Sequence, residues 1–510
     1  MGEKVVRTIW QGHHGYKPVS VMAQIVLSQD MLTRTCIATI CILLIKISLF
    51  ALDKTKVITG GTIVSMEPGQ LNPIVGWILV DTDGKIAQLA AGTPPEEILN
   101  NSEVVDASGK IIIPGFISAH SHLWSAPFRG IASESNLLEW IERAHSPFTP
   151  YYQEHDFYVY TQYGALDFIS HGITTCYNWV WNNGWAYEHW LEQFEAQLDL
   201  DQRFIFGWSI DVTDSEENNR ERLKAFLKRV GNLKTDNPQL LEVSLSALGM
   251  LFGDTEFPFW EGRIMRDFGL DAQAHFLEEP AIKHQQQGEF RIMEKAGMVC
   301  DQLHLAHFIH TNDHILEKTS NAGVRMVWNP LSNGRLGSGL ADIPKYKRYG
   351  LQVGMGLDGQ ASGDLSDPFE NMRMGLYATR MKYESAAVMT PYQILALHTY
   401  ESAKTLNVED RVGSLAKGKW ADFLIIDPKE PDVGPVIDTY ATLVMTISTR
   451  NMEAVYIGGK AVYENEAFTT HDFKAISKDA YKRVNRMLKQ LKDDGGLVPA
   501  PTHLNHFSMP

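Results

Sequence analysis

Cysteine is scarce. Cys36, Cys41, Cys176 and Cys300 are the four in 510 residues, and no two of them form a C-x-x-C pair. A disulfide framework, a zinc knuckle and a dithiol redox motif are therefore excluded, and a reducing compartment fits best. A surplus of positive charge is also missing: 46 Lys and Arg against 61 Asp and Glu give a formal net charge of −15. A chain this acidic has no general basic field with which to grip nucleic acid or anionic lipid, whereas small neutral or cationic substrates remain open. No repeat of solenoid period is present, and 44% hydrophobic with 21% charged residues excludes disordered, collagen-like and coiled-coil chains.

Long apolar runs are limited to one, CIATICILLIKISLFAL at 36–52, which carries Lys46 within it and follows Arg34. It sits at the lower limit for crossing a bilayer, about 17 residues, and no small-x-small cleavage site follows it. It reads as an extra packed helix or a non-native extension, so residues 1–53 are set apart from the mechanism. A cytoplasmic protein is expected. Anchoring through 36–52 is the alternative, and the only route to membrane contact.

From Lys54 the pattern is β: alternating residues with a turn at Gly60-Gly61, then a hairpin whose two apolar runs meet at Asp83-Gly84. Residues 413–428 and 444–465 read as short strands again, so one small β domain is expected from both ends of the chain, as a β-sandwich built from 54–113 and 407–466. Between them, 114–406 alternates short apolar runs with helical patterns. The strand candidates are 115–120, 174–177, 203–208, 241–246, 271–275, 302–307, 325–328 and 353–357, with helices such as 154–170 and 192–198 between them. Eight such units predict an α/β protein with a (β/α)8 TIM barrel. The remainder, 467–510, is a C-terminal tail whose residues 472–492 form an amphipathic, basic helix packed by one face.

Four polar signals lie at the C-terminal ends of these strands, where a barrel carries its chemistry. His120 and His122 are i and i+2 of an extended segment, so both imidazoles face one side and reach one ion. His275 ends the fifth strand, and Glu278, three residues on, suits a proton shuttle beside an ion rather than a ligand. His307 ends the sixth strand. His304, His310 and His314 compete with it, but alternation puts His304 deeper and the other two in the next loop and helix. Asp358 ends the eighth strand before Gly359, where a carboxylate completes a metal site and accepts a proton from bound water. Each residue alone has a bland reading as surface or core; the four signals together do not.

In PGFISAHSHLWSAPFRG, LAHFIHTNDHIL, NPLSNGRLGSGLADIPKYKRYGLQVGMGLDGQAS and GSLAKGKWADFLIID the chain resembles the amidohydrolase superfamily. The likeness runs over 54–465 and is to the group of triazine hydrolases, guanine deaminases and methylthioadenosine/adenosylhomocysteine deaminases. The resemblance implies that His120, His122, His275 and Asp358 bind one divalent ion, zinc being expected and iron the alternative. It implies that Glu278, His307 and Asp358 are catalytic, and by analogy that the chain forms a homodimer. Two-metal members carry a bridging lysine on the fourth strand; LEVSLSALGMLFGD has none, which favours one metal.

The expected reaction is metal-dependent hydrolysis of a non-peptide C–N bond, foremost deamination of an amino-substituted heterocycle. Hydrolytic dehalogenation, linear amide cleavage and decarboxylation are alternatives on the same apparatus, and a scaffold without turnover is the remaining one. Where many members end the seventh strand with histidine, this chain has Trp328 before Asn329. Trp124, Phe128, Trp179, Trp181, Trp185 and Trp328 are expected around the mouth. Of these, Trp185 is expected only to pack a loop, and Trp124, Phe128, Trp179, Trp328 and Asn329 are expected to bind a planar heteroaromatic small molecule.

Overall fold

The computed structural model describes residue 52 and residues 54–180, 187–251, 253–429, 431 and 433–496. Trp181, Trp185 and all of the 36–52 run except Leu52 lie outside the described residues. Among the described residues no helix is long and apolar enough to cross a membrane.

Eight parallel strands form the barrel: β6 (Phe116–His122), β7 (Ile173–Trp179), β8 (Arg203–Ser209), β9 (Leu240–Ala247), β10 (Ala272–Phe276), β11 (Leu303–His307), β12 (Arg325–Trp328) and β13 (Gln352–Met355). The short β14 (Asp358–Gly359) continues β13 and pairs with β6, Asp358 opposite Ser121 and Gly359 opposite His122, which closes the ring. A helix follows each strand, from Asp156–Ser170 after β6 to Pro368–Tyr383 after β14. Every residue of β7 and β8 is buried, because a parallel strand covered by helices outside and side chains inside has no wet face. That is why these strands read in the sequence as continuous apolar runs.

The β domain takes strands from both flanks. The N-terminal flank supplies β1 (Lys56–Ile63), β2 (Ile74–Val80), β3 (Ile86–Ala91), β4 (Glu103–Asp106) and β5 (Ile111–Pro114). The C-terminal flank supplies β15 (Phe423–Ile426), β16 (Met452–Ile457), β17 (Lys460–Glu464) and β18 (Ala467–Phe468). They form one mixed sheet in the order β18-β17-β16-β15-β5-β1-β2-β3, with β4 on β1. Antiparallel β5 and β15 join the flanks, and backbone bonds between Ile86 and Lys419 and between Gly84 and Ala421 bring the sheet back on itself. Ile58, Ile78, Ile112, Phe423 and Tyr456 fill the interior so formed.

Two local expectations change. Gly60-Gly61 does not turn the chain: it makes a β-bulge within β1, with Gly60 at φ +81° and Gly61 packed too close to Ile112 for a Cβ. Residues 444 and 445 end a helix, Thr439–Met445, and the strand starts only at Met452. The tail forms the amphipathic helix Phe473–Asp493, which buries Ala480, Met487 and Leu491.

Barrel and β domain meet at a buried ion pair. Arg203, at the base of β8, donates through Nε (2.5 Å) and Nη2 (2.9 Å) to the Asp422 carboxylate, and its guanidinium lies 4.0 Å from the Trp420 ring centroid. Asp422 also accepts from the Gly458 amide at 2.7 Å. Removing one member of such a pair leaves a desolvated charge. Asp422→Ala is expected to lower unfolding stability by about 3–5 kcal/mol in chemical denaturation, while Asp83→Ala at the hairpin tip changes it by less than about 0.5 kcal/mol.

Candidate active site

Strand tips bring five of the predicted residues together. His120 Nε2 and His122 Nε2 lie 3.4 and 3.3 Å from Asp358 Oδ1, and His122 Nε2 lies 3.3 Å from His275 Nε2. One ligand atom each from His120, His275, His307 and Asp358 falls within 4.8 Å of the others, and all four residues are buried. Leu277, His307, Phe308 and Asp358 have φ between +47° and +69°. Left-handed backbone at non-glycine residues is costly and collects where side chains must be aimed. Here it sits just after β10, at the end of β11 and at the start of β14.

Hydrogen bonds fix which ring nitrogens carry protons. Gln273 Nε2 donates to the Ala119 carbonyl at 2.9 Å, which leaves its Oε1 to accept from His120 Nδ1 at 2.6 Å. His122 Nδ1 donates to the Trp179 carbonyl at 2.9 Å. Both rings therefore present an unprotonated Nε2 inward, and His120 Nε2 is buried without a hydrogen-bond partner. On His307 the arrangement is reversed: Asn333 Nδ2 donates to Nδ1 at 2.7 Å, so the proton sits on Nε2, 3.9 Å from Asp358 Oδ2. Ser332 donates to Asp358 Oδ2 at 2.5 Å.

Lone pairs on two imidazoles thus face a carboxylate oxygen and a third imidazole at 3.3–3.4 Å. Against the carboxylate that contact is repulsive unless a positive charge lies among them; a divalent cation would turn it into coordination, and nitrogen–oxygen donors of this kind suit zinc. The donor set fits a metal.

Burial lowers the pKa of His120. It also holds His275 well below the ordinary histidine range, helped by the neighbouring imidazoles, and takes His307 down to about 3. Burial acts to raise Asp358, but His120 and His122 overcome it and keep the carboxyl well below the usual range. Glu278 moves the other way: burial, reinforced by the Asp358 and Glu279 carboxylates, holds it well above its ordinary value. Its carboxyl stands 3.4 Å from His307 Nδ1 and 3.4 Å from Ser338 Oγ.

A cavity opens beside these groups, its walls including Trp124, Trp179, Leu251, Glu278, His307 and Leu336. Its roof is a cap made of the helix Leu137–Trp140, the π-turn Ile141–His145 and the 3-10 turn Ser146–Tyr151, which contributes Leu137, Trp140, Ile141 and His145. The cap is packed: Phe148, Phe157 and Tyr160 share its core with Met487 and Leu491 of the C-terminal helix, and buried Asp156 binds Arg483 (2.9 Å) and Arg486 (2.5 Å).

Of the expected substrate contacts, Trp124 and Trp179 line the cavity and three do not. Phe128 packs in the cap's core against Phe148 and Tyr160. Trp328 points away from the mouth onto the helix Pro368–Tyr383, where a Cβ at Gly375 would fall 2.7 Å from its ring. Asn329 lies beneath His307, 3.5 Å from both ring nitrogens. His304 sits at the strand base, 3.6 Å from Asp271, and His310 bonds the Ser338 carbonyl from the next loop. The sequence reading assigned no role to Gln273, Ser332, Asn333, Ser338 or the cap. Ser332, Asn333 and Ser338 lie in NPLSNGRLGSGL, within a stretch that carries the family likeness.

Comparison with known proteins shows the family. The profile of the amidohydrolase family matches residues 111–462, and the chain belongs to that family. It is 23% identical over 446 residues to 5-methylthioadenosine/S-adenosylhomocysteine deaminase 1 of Syntrophus aciditrophicus, covering 86% of this chain and 98% of that protein. It is 25% identical over 461 residues to 5'-deoxyadenosine deaminase of Methanobrevibacter smithii, covering 85% and 99%. Among solved structures it resembles an adenosine deaminase from Xanthomonas campestris with bound zinc (TM-score 0.74, 19% identity, 85% and 98% covered). It also resembles a mutant atrazine chlorohydrolase of Arthrobacter aurescens with zinc and atraton (TM-score 0.73, 21% identity, 84% and 100% covered).

Gln273→Ala frees His120 to rotate and change tautomer. It is expected to weaken zinc binding about 10–100-fold in a chelator competition while the fold melts within a few degrees of wild type. Unchanged zinc affinity would remove Gln273 from that role.

Proposed function

We propose that this protein is a metal-dependent hydrolase that deaminates an amino-substituted heterocycle, with one divalent ion, zinc, held by His120, His122, His275 and Asp358. The observation that carries the reading is the pair of inward, unprotonated Nε2 atoms on His120 and His122, facing Asp358 and His275 at 3.3–3.4 Å. The related proteins named as nucleoside deaminases support the same reaction class.

When bound, the ion supplies Lewis acidity that lowers the pKa of water towards about 7. The other steps belong to the chain. Asp358, kept ionised, accepts a proton from the attacking water, and Ser332 holds its second oxygen so that the first stays aimed inward. His307 keeps its proton on Nε2 because Asn333 occupies Nδ1, so it donates to the charge that develops as the carbon becomes tetrahedral. Glu278, its carboxyl held high by burial, donates to a ring nitrogen next to the reacting carbon. As the carboxylate it then takes the proton of the newly added hydroxyl and relays it to the departing amine, and the proton held by Asp358 returns Glu278 to its acid form through solvent. An acid poised beside the centre suits an amine leaving group better than halide, which departs without a proton. Trp124 and Trp179 present faces and edges for a planar ring. The free thiols of Cys176 and Cys300 accord with a cytoplasmic enzyme.

Glu278→Gln retains the carbonyl but not the acidic proton. It is expected to bind metal with the wild-type stoichiometry and to lose about 10²–10⁴-fold in turnover, read as ammonia release from aminated heterocycles. Full activity in that variant, or release of halide or carboxylate in place of ammonia from a mixed panel, would overturn the assignment.

A further inference from the structure

Three consecutive glutamines lie in the first turns of the helix Lys283–Ala296, and the middle one alone is buried. Gln285 bonds Glu289 along the surface at 2.9 Å. Gln286 points the other way, onto the segment that leads from β10 to Glu278, and its Oε1 accepts from the Leu277 amide at 2.9 Å. Leu277 stands between the last residue of β10 and Glu278, with φ +57°. Left-handed backbone is strained for a leucine, because its Cβ crowds the following carbonyl. The rotation at this residue sets the direction in which the chain leaves the strand, and with it where the Glu278 side chain goes.

The surroundings of this turn are fixed in the same way. The Leu277 carbonyl accepts from the Ile309 and His310 amides, at 3.0 Å each. Gln286 is itself anchored, its Nε2 donating to the Met250 carbonyl at 3.5 Å. The loop that carries Met250 is gripped in turn by buried Glu261, whose carboxyl oxygens accept from the Leu248 and Gly249 amides at 2.6 and 3.0 Å. Gln287 reaches the other end of Glu278. Its Nε2 donates to the His310 carbonyl at 2.6 Å, the His310 ring bonds the Ser338 carbonyl at 2.7 Å, and the Ser338 hydroxyl donates to Glu278 Oε1 at 3.4 Å.

Resting on the role given above to Glu278, we propose that Gln286 is a positioning residue for the reaction: by holding the Leu277 amide it maintains the left-handed turn that aims Glu278 at the reacting centre. It acts through Glu278, not on substrate or metal. A strained residue keeps its conformation only where its neighbours over-determine it. An acceptor lost at position 286 leaves a buried N–H unpaired, which costs the left-handed turn on the order of tenfold in population. Leu277 then relaxes towards ordinary backbone and carries the carboxyl of Glu278 off its target.

The test has a structural arm and a kinetic arm. Crystal structures of the zinc-loaded wild type and Gln286→Met are expected to show Leu277 leaving the left-handed region and the Glu278 carboxyl displaced by about 1 Å or more, with zinc still one per chain. In ammonia release from aminated heterocycles, kcat of Gln286→Met falls about 10–100-fold while KM stays within about threefold. Gln286→Glu, which keeps an acceptor for the amide, recovers most of the loss. In a Glu278→Gln background Gln286→Met costs less than about threefold more, since the group it aims is already disabled. Gln286→Asn, too short to reach the amide, carries the same comparisons if the Met variant does not fold. Leu277 and Glu278 unmoved in the variant overturn the proposal, as does an equal loss of kcat in both backgrounds. Glu278 displaced with ammonia release at the wild-type rate would sink its role as the acid, and leave the dependence of the turn on Gln286 standing.

Discussion

Electron pairs that repel one another organise the mouth of this barrel. The Nε2 atoms of His120 and His122, Nε2 of His275 and Oδ1 of Asp358 stand at distances a hydrogen bond would satisfy, but the proton needed for one is already placed on Nδ1 of the first two rings. A hydrogen bond from His275 Nε2 can satisfy His122, but a cation is what would satisfy the carboxylate and both inward lone pairs at once. Each neighbouring contact helps to keep the conflict in place: Gln273 and the Trp179 carbonyl hold the rings, Ser332 the carboxylate, and left-handed backbone at Asp358 its approach. The barrel tolerates the strain because its strands are closed on one another and buried on both faces.

Around that centre the imidazoles divide by tautomer. Two rings bonded through Nδ1 point lone pairs inward, whereas His307, accepting a hydrogen bond from Asn333 at Nδ1, points an N–H inward. One residue type thus presents both a lone pair and an N–H, and the difference is set by the Gln273, Trp179 and Asn333 partners. Glu278 shows the same economy with carboxyls. The imidazoles around Asp358 hold its carboxyl well below the usual range against the effect of burial; Glu278, buried with the Asp358 and Glu279 carboxylates nearby, is held well above it. Two carboxyls pushed in opposite directions within one cavity are the pattern from which an acid and a base at one pH are made.

Much of this was legible in the sequence, for physical reasons. Parallel barrel strands are buried on both faces, so runs such as ITTCYNW and RFIFGWS stood out, and polar residues ending such runs had to lie at the mouth. The Asp83-Gly84 hairpin was readable because few other residues make so tight a turn. Partners brought from distant strands were not readable. Gln273 lies 153 residues from His120, and nothing local distinguishes it from any glutamine in an apolar strand. Trp328 was placed at the mouth by adjacency to Asn329, but successive residues of a strand face opposite ways, and the ring turns out onto Gly375. The cap escaped notice because short mixed turns carry no periodic signal.

The central claim is that three imidazoles and one carboxylate share a single cation. The most direct measurement is elemental analysis combined with X-ray absorption at the zinc edge of the purified protein. The account predicts one zinc per chain, with three nitrogen neighbours at about 2.0–2.1 Å and carboxylate oxygen at about 2.0–2.2 Å. Two metals per chain, or zinc whose nearest shell contains sulfur or lacks imidazole, would contradict it.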